Sequence, residues 1–549
     1  MRIDLEDEQA QASFESTVCI VGGGIAGLLL ARNLAGRGIG VHLLEAGGTT
    51  LEARSQELYG VHMEGRHHEG ASEGRFRVFG GSSTRWGGQL LDYTPDVFSP
   101  PAGTPSAPWP ITTVDLGPYY PELRGIMHVS DPLPSVELLK PPAGDGTPDP
   151  ADINIRFSTW APFSKRNLAK TIGSECLRSG RITVFLHANA TSIEVSKERG
   201  RVERIMVRNY RNKQYQFKAE QFVICAGTIE CCRLLLASRT AFDCGIGNST
   251  DQVGRYFHDH ISVAAATVTE NAKPAFVRSL SPLLVKGVLH TPKLEASSRL
   301  RQKQQLLAVM AHFAIEEPVG SGVAAVRELL QSVQHGRLLG KLPRAICQLP
   351  RNAGEIAKVV WFAGIHKRRA ISSRATITLR IDSEQLPSAQ NRIQLSTQRD
   401  TVGLFQAVIN WHVSQEERRT VQTYAKVVDG FLSRLGVGPV AWCPELWESD
   451  DSWLKFTRDT YHPMGGTRMG TNPRDSVVDP NLQVHGISNL FVASCSTFPG
   501  GGSSNPTFTL MALALRLGAH LAKQCDARRA SSRQEMCSLT TREPQLARA

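Results

Sequence analysis

The 549-residue chain contains no run of about 18 apolar residues, so no membrane-spanning helix is expected. It also lacks any Cys-x-x-Cys spacing, which removes the common structural metal sites. Its 11 cysteines are odd in number and scattered, and several, such as Cys19 and Cys225, sit in apolar strand-like runs. That pattern suits reduced, buried thiols rather than a disulfide framework. The adjacent Cys231 and Cys232 fit a helix core better than a redox pair. No internal repeat is present. The opening MRIDLEDEQAQ is acidic and has neither an apolar signal core nor a twin arginine, so a cytoplasmic location is expected. There is no long basic block either. The formal charge of +11 is spread through the middle of the chain and its tail, and no nucleic-acid partner is expected. A solvated surface is the first reading of that charge; an anionic substrate, partner or membrane surface is the second. Charged residues at 21% and hydrophobic ones at 41% are ordinary for a globular protein, and the length calls for two or more structural units.

What is present begins with STVCIVGGGIAGLLLARNLAGRGIGVHLLEAGG. Val18 to Val21 is a short apolar run suited to a buried parallel strand. Gly22, Gly24 and Gly27 follow at G-x-G-x-x-G spacing. The first glycine permits a tight turn, the second lets backbone N–H groups approach a pyrophosphate, and the third lets the next helix pack on the strand. The helix N-terminus adds partial positive charge where the diphosphate would sit. Leu28, Ala31 and Leu34 fit the inner face of that helix, Gly38 closes it, and Val41 to Leu44 reads as the next strand. Glu45 ends that strand at the distance expected for an acid that binds a ribose hydroxyl. Strand, turn, helix, strand and acid in this order predict a dinucleotide site.

Other segments organise the remainder. FGGSSTRWGG at 79–88 is glycine-rich with one tryptophan, and PAGTPSAPWPI at 101–111 is a proline-rich connection. RITVFLHANATSIEV at 181–195 reads as a strand-pair region, and QFVICAGTIECCRLLLAS at 221–238 as a buried strand, a turn at Ala226-Gly227 and a helix. From about 266 to 450, strand-like runs such as RATITLRI (374–381) and NRIQLS (391–396) alternate with helical ones. Residues 324–370 read as a helical, basic insert and 526–549 as a disordered tail. Near the C-terminus, YHPMGGTRMG and FPGGGSSNPTFTLMALALRLG bring a histidine, His462, and an asparagine, Asn505, next to glycine-rich turns and an apolar helix over 507–521.

Taken together, these segments resemble the glucose–methanol–choline (GMC) oxidoreductases over about residues 15–525. FGGSSTRWGG is similar to the family's flavin-covering signature, CAGTIECCRLLLAS to its internal signature, VGRYFHDH (253–260) to a further typical segment, and YHPMGGTRMG through SSNPTFT to its C-terminal signature. Trp86, Gly87, Gly88 and the Asn505-Pro506-Thr507 triplet lean towards the pyranose-oxidase and sugar- or polyol-dehydrogenase branch. The resemblance implies an α/β fold: a Rossmann-like FAD-binding domain of separated segments (15–265 and 450–525) and an α+β substrate-binding domain with an antiparallel sheet (266–449). It implies FAD as cofactor and an alcohol as substrate: a hydroxyl of a sugar, glycoside or polyol leads, and a sterol or other alcohol is the alternative. Carried over for FAD contact are Gly22, Gly24, Gly27 and Glu45, with Gly81, Ser82, Trp86, Gly87 and Gly88 from the cover segment. Ala190 would lie near the adenine, Ala226 and Gly227 by the pyrophosphate, Ser494 by the ribitol, and Asn505, Pro506 and Thr507 by the flavin ring. Arg85 stands where covalently flavinylated relatives carry a histidine, so FAD is expected to be non-covalent.

The resemblance makes His462 the base that takes the hydroxyl proton and Asn505 the group that directs the substrate oxygen. Bland readings stand beside both: His462 as a loop histidine satisfied by backbone, and Asn505 as the cap of the helix that follows. His258 and His260 lack a third metal ligand at suitable spacing and read as structural or pocket-edge residues, while His62, His67 and His68 read as solvated. The electron acceptor is expected to be dioxygen, a quinone or a redox protein. The insert 324–370 is either a lid with solvated charges or a contact for a membrane surface or partner. Two other functional classes stay open, a non-redox flavoprotein lyase and a flavin-binding structural or regulatory protein.

Overall fold

The computed structural model describes residues 1–7, 12–129, 152–196, 198, 200–335 and 353–540. One sheet carries the strands in the order Arg2–Asp4, Ile182–Leu186, Val41–Leu44, Ser13–Val21, Gln214–Ile224, Arg201–Arg208 and Asn189–Ser196. The pairs from Arg2–Asp4 through Gln214–Ile224 are parallel, with Val18 opposite Val41 and Val21 opposite Leu44. Both faces of these strands are covered, which explains runs of four consecutive buried residues such as Val18–Val21. The strand-pair region at 181–195 does form two strands, but they pair with different neighbours, Val41–Leu44 and Arg201–Arg208.

The same strand Gln214–Ile224 also pairs in parallel with Leu490–Val492, Ile224 lying opposite Val492. The helix Ile25–Gly36 then lies against the C-terminal helix Thr507–Thr540. Their approach is close at Gly518, where an added Cβ would stand 2.5 Å from Asn33 Oδ1. This helix runs through Thr540, well past the position where the sequence places a disordered tail from 526; residues 541–549 lie outside the described residues.

The second sheet is antiparallel, in the order Val440–Trp442, His260–Val268, Thr376–Glu384, Val309–Glu316, Val288–Ala296, Ile153–Trp160 and Gln89–Leu90. It takes two strands from within residues 15–265, so its membership does not follow a single cut near residue 266. Alternation sorts its side chains. Ile261, Val263, Ile377, Leu379 and Ile381 are buried with Val421, Tyr424, Ala425, Val428 and Phe431 of the helix Gln415–Arg434. The opposite face is polar: His260 sits opposite Glu384, Ser262 opposite Asp382, and His312 opposite Arg380. A small third sheet joins Arg392–Arg399, Phe405–Trp411 and Val61–Gly65. Helices Gly322–His335 and Ala353–Gly364 occupy the two ends of the basic insert, whose middle, 336–352, lies outside the described residues. Among the described residues no helix is long and apolar enough to cross a membrane.

Burial pushes the imidazoles of His42, His258, His290 and His462 down to about 4. Each is neutral in the folded protein but takes a proton near 6.5 when unfolded. The folded form is therefore favoured above pH 6.5, and that advantage is lost as pH falls from 6.5 towards 4. Urea midpoints measured across this window are expected to drop, at up to about 1.4 kcal/mol per pH unit for each histidine. A flat profile between pH 6.5 and 4 contradicts the burial of these rings.

Candidate active site

A cavity of about 700 Å³ opens between the first sheet, the segment 81–89 and the C-terminal loops. Its size lies within the range of cofactor and ligand pockets. The glycine turn shapes one end. Gly22 has φ of 107°, and a Cβ there would lie 2.5 Å from the Cys225 carbonyl oxygen. Gly27 serves packing instead: its added Cβ would stand 1.9 Å from the Gly22 oxygen, and it does not line the cavity. Gly24 lines the cavity, yet a Cβ there would meet no protein atom within 4 Å. Its bareness therefore leaves room for a ligand rather than for the fold. Gly24 also precedes helix Ile25–Gly36 without a capping side chain, so the first-turn N–H groups remain available for an anion.

Glu45 is 5% exposed and lines the same end. Its Oε2 accepts from Gly23 N at 3.0 Å and its Oε1 from Gly47 N at 2.8 Å. Burial raises its pKa, opposed by these two N–H groups and by Arg77 and His187. The carboxylate is thus oriented by backbone, with lone pairs left for a ribose hydroxyl. The segment carrying Gly81 and Ser82 closes over the turn, an added Cβ on Gly81 falling 3.0 Å from Gly24 Cα. Trp86 donates from Nε1 to the Arg166 carbonyl at 2.7 Å, and an added Cβ on Gly88 would collide with the Arg166 side chain at 2.6 Å. Gly81, Ser82, Trp86, Gly87 and Gly88 all line the cavity, as do Ala190, Ala226 and Gly227. Ser494, Pro506 and Thr507 line it from the C-terminal side, and Asn505 touches it only through His462.

His462 lines the cavity and is held at both nitrogens. Asn505 Nδ2 lies 3.1 Å from its Nε2, while its Nδ1 lies 2.7 Å from Thr460 Oγ1 and 3.1 Å from His260 Nδ1. Backbone alone does not satisfy this ring, contrary to the loop-histidine reading. Nor does Asn505 cap the helix: helix 507–540 starts two residues later, and its side chain reaches His462. Asn505 Oδ1 is buried and has no hydrogen-bond partner among the described residues, an acceptor standing beside His462. Burial and the neighbouring His260 hold His462 down at about 4, against the pull of Asp259, so the ring is a free base at neutral pH.

Several participants were not legible in the sequence. His260 belongs to the direct contacts of His462 rather than to a pocket edge. His258 is structural, its Nδ1 donating to the Tyr256 carbonyl at 2.7 Å. His68, expected to be solvated, is fully buried, with Nε2 3.4 Å from Asp259 and Nδ1 3.7 Å from Asp459. Asp259, His260 and His462 gather ligand-type atoms within 4.8 Å of one another, as do His68, Asp259 and Asp459. The Asp259 oxygens already accept from His260 N, Thr460 N, Thr460 Oγ1 and His462 N, so this carboxylate works as a hydrogen-bond node. Arg77 lines the far end of the cavity with a buried Nη1 that has no hydrogen-bond partner among the described residues. An arginine outside any glycine signature gives no sequence cue.

This cradle, the backbone-held acid and the buried imidazole define an FAD-dependent oxidoreductase, and residues 17–239 match the family model described as FAD dependent oxidoreductase. Residues 387–514 match the model described as GMC oxidoreductase, so the chain carries the C-terminal domain of that family. It is an FAD-dependent alcohol oxidoreductase. It is 22% identical to the fructose dehydrogenase large subunit of Gluconobacter japonicus, over 92% of this chain and 97% of that one. It is 23% identical to the 6'''-hydroxyparomomycin C oxidase of Streptomyces lividus, over 94% and 92%. The solved structure of pyridoxine 4-oxidase from Mesorbium loti shares the fold, with a TM-score of 0.57 at 16% identity, covering 92% of this chain and 99% of that one.

Gly24→Ala separates ligand crowding from folding. The variant is expected to keep the wild-type melting temperature as apoprotein but to lose FAD affinity by about tenfold or more, since about 1.4 kcal/mol of crowding suffices. Fluorescence titration with FAD reads this directly; unchanged affinity contradicts the placement of the diphosphate at Gly24.

Proposed function

We propose that this enzyme oxidises a CH–OH group of a sugar, glycoside or polyol to the carbonyl, with His462 as the base and Asn505 as the group that directs the substrate oxygen. The observation that carries the reading is the pairing of His462 Nε2 with Asn505 Nδ2 at 3.1 Å beside the cavity. FAD, when bound, supplies the acceptor for the hydride that leaves the carbinol carbon. A substrate hydroxyl entering between the two side chains donates to His462 Nε2 and accepts from Asn505 Nδ2. His462 then takes the hydroxyl proton, and Asn505 holds the oxygen as it becomes a carbonyl. The N-terminus of helix 507–540 points positive potential at the same place. We assign the FAD contacts to Gly22, Gly24, Glu45, Gly81, Ser82, Trp86, Gly87, Gly88, Ala190, Ala226, Gly227, Ser494, Pro506 and Thr507, with Arg77 added. Gly27 supports them through packing.

The polar sheet face favours a hydroxyl-rich substrate over a sterol. His260 joins that face to the base, and along it stand Ser262, Lys293, His312, Arg380 and Asp382. Asp382 Oδ2 lies 2.8 Å from His312 Nε2 and its Oδ1 accepts from Ser262 Oγ. Lys293 is 3% exposed, and burial lowers it to about 8 against the attraction of Asp382. It forms no hydrogen bond among the described residues, so its N–H groups are available for substrate hydroxyls. The identities of both full-length relatives, a fructose dehydrogenase and an aminoglycoside oxidase, support the same class. Arg85, exposed at the cavity and stacked on Phe76 at 5.2 Å, offers no nucleophile for a bond to the cofactor, which supports non-covalent FAD. Electrons leave to dioxygen, a quinone or a redox protein.

Anaerobic bleaching of the bound FAD by a panel of sugars and polyols tests the reaction class and separates it from a lyase. His462→Ala is expected to slow bleaching by roughly 10²- to 10⁴-fold while FAD stays bound; wild-type bleaching in this variant removes His462 as base. Acid precipitation is expected to release all the yellow colour into the supernatant. Lys293→Met is expected to raise KM for the best sugar while kcat holds, and to raise the melting temperature because an unpaired buried ammonium is removed.

A further inference from the structure

The tautomer of His462 follows from groups that can only accept. Asp259 is an ionised carboxylate: burial would raise its pKa, but the contact with His68 and the N–H groups donating to it hold it down. Thr460 Oγ1 lies 2.9 Å from Asp259 Oδ1, so the hydroxyl donates to the carboxylate. Its proton is thereby committed. The 2.7 Å contact between Thr460 Oγ1 and His462 Nδ1 must then have the imidazole donating. His260 agrees: its Nε2 donates to the Gly501 carbonyl at 3.2 Å, which leaves its Nδ1, 3.1 Å from His462 Nδ1, as an acceptor in the neutral ring. Both neighbours therefore call for a proton on His462 Nδ1 and leave the Nε2 lone pair facing Asn505 and the cavity.

Resting on His462 as the base, we propose that Thr460 is a positioning residue that selects the Nδ1–H tautomer of His462 and links this base, through its hydroxyl, to the buried carboxylate of Asp259. When Nε2 takes the substrate proton, the ring becomes an imidazolium. Its Nδ1–H stays on nitrogen, bonded to Thr460, whose O–H points to Asp259. No proton leaves the chain of groups, and the new positive charge faces an anion across one hydroxyl. The carboxylate is itself placed without freedom. It accepts from His462 N at 2.8 Å and from Thr460 N at 3.2 Å, and His68 lies 3.4 Å from its Oδ2. His68 is fully buried between Asp259 and Asp459, and Asp459 in turn accepts from Glu69 N and Gly70 N at 2.7 and 2.9 Å. The base, its tautomer-setting hydroxyl and the segment His68–Gly70 are thus one connected unit. The charged and titratable groups around His462 are Asp259, His260 and, further off, Asp382 and Lys293; Thr460 is the neutral link among them.

The test uses FAD-loaded enzyme and the alcohol that bleaches it fastest. Thr460→Val keeps the shape and removes the hydroxyl; Thr460→Ser keeps the hydroxyl. The Val variant is expected to reduce FAD about 10- to 100-fold more slowly at saturating alcohol, with KM, FAD content and melting temperature near wild type. The Ser variant is expected to recover most of the rate. Ring ¹⁵N shifts of His462 in the wild type should report protonated Nδ1, and the Val variant a mixture of tautomers. Full activity in Thr460→Val overturns the proposal, as does equal loss in Val and Ser or a protonated Nε2 in the wild type. His462→Ala separates the two readings. If that variant still bleaches, the base assignment fails; if it is inactive while Thr460→Val is not, only the role of Thr460 fails.

Discussion

The site depends on the parallel pairing of one strand with two others that are far away in the chain. Gln214–Ile224 holds Ser13–Val21 on one flank and Leu490–Val492 on the other. The first delivers the glycine turn at its end, and the second delivers Ser494 and, a few residues on, the loop that ends in Asn505. A slip of two residues in either pairing would shift the cradle relative to the Ser494–Asn505 segment by about 7 Å, because a strand advances about 3.3 Å per residue. Register is well defined on both sides, since consecutive buried residues such as Phe222, Val223 and Ile224 leave no solvent face to tolerate a shift. Helix Thr507–Thr540 adds a second clamp by lying on helix Ile25–Gly36 at the Gly518 contact.

From this arrangement follows a division of labour among the glycines. Gly22 and Gly27 are required by the protein itself, because side chains there would run into backbone oxygen. Gly24 and Gly227 stand clear of protein atoms and line the cavity. The spacing pattern treats Gly22, Gly24 and Gly27 alike, whereas the structure separates the two that shape the turn from Gly24, which leaves space for what binds in it; Gly227, outside that pattern, lines the same cavity with φ of 82°.

Much of the fold was legible because its signals are local. The strand–turn–helix–strand unit ending at Glu45 needs only alternation of apolar runs and glycine punctuation, and it lies where the sequence reading puts it. The antiparallel strands near 376–384 and 392–399 were equally plain. What escaped was long-range. His68 sits in a polar stretch, EGRHHEG, and nothing in that stretch predicts that one imidazole of the pair is fully buried between two carboxylates from positions 259 and 459. Strand membership escaped for the same reason: Gln89–Leu90 and Ile153–Trp160 join the second sheet only through partners far along the chain. The C-terminal helix was cut short because its composition turns polar after 525, while helices tolerate polar faces wherever solvent meets them.

The electrostatic design of the site can be understood from burial. Carrying an imidazole into a half-enclosed cavity lowers its basicity, which keeps it unprotonated and ready but also weakens it as a proton acceptor. A nearby carboxylate restores some of that affinity, yet direct contact would pull the resting ring towards the charged form. The structure interposes a hydroxyl: His462 and Asp259 meet through Thr460, and the carboxylate touches only the backbone N–H of His462. The resting ring stays neutral, with its value near 4, while the anion remains close enough to steady the charge that appears when the proton arrives. His260 works in the other direction. As a second imidazole in edge-on contact it helps keep the resting ring uncharged, while at Nδ1 it calls, like Thr460, for the proton that the neutral ring already carries.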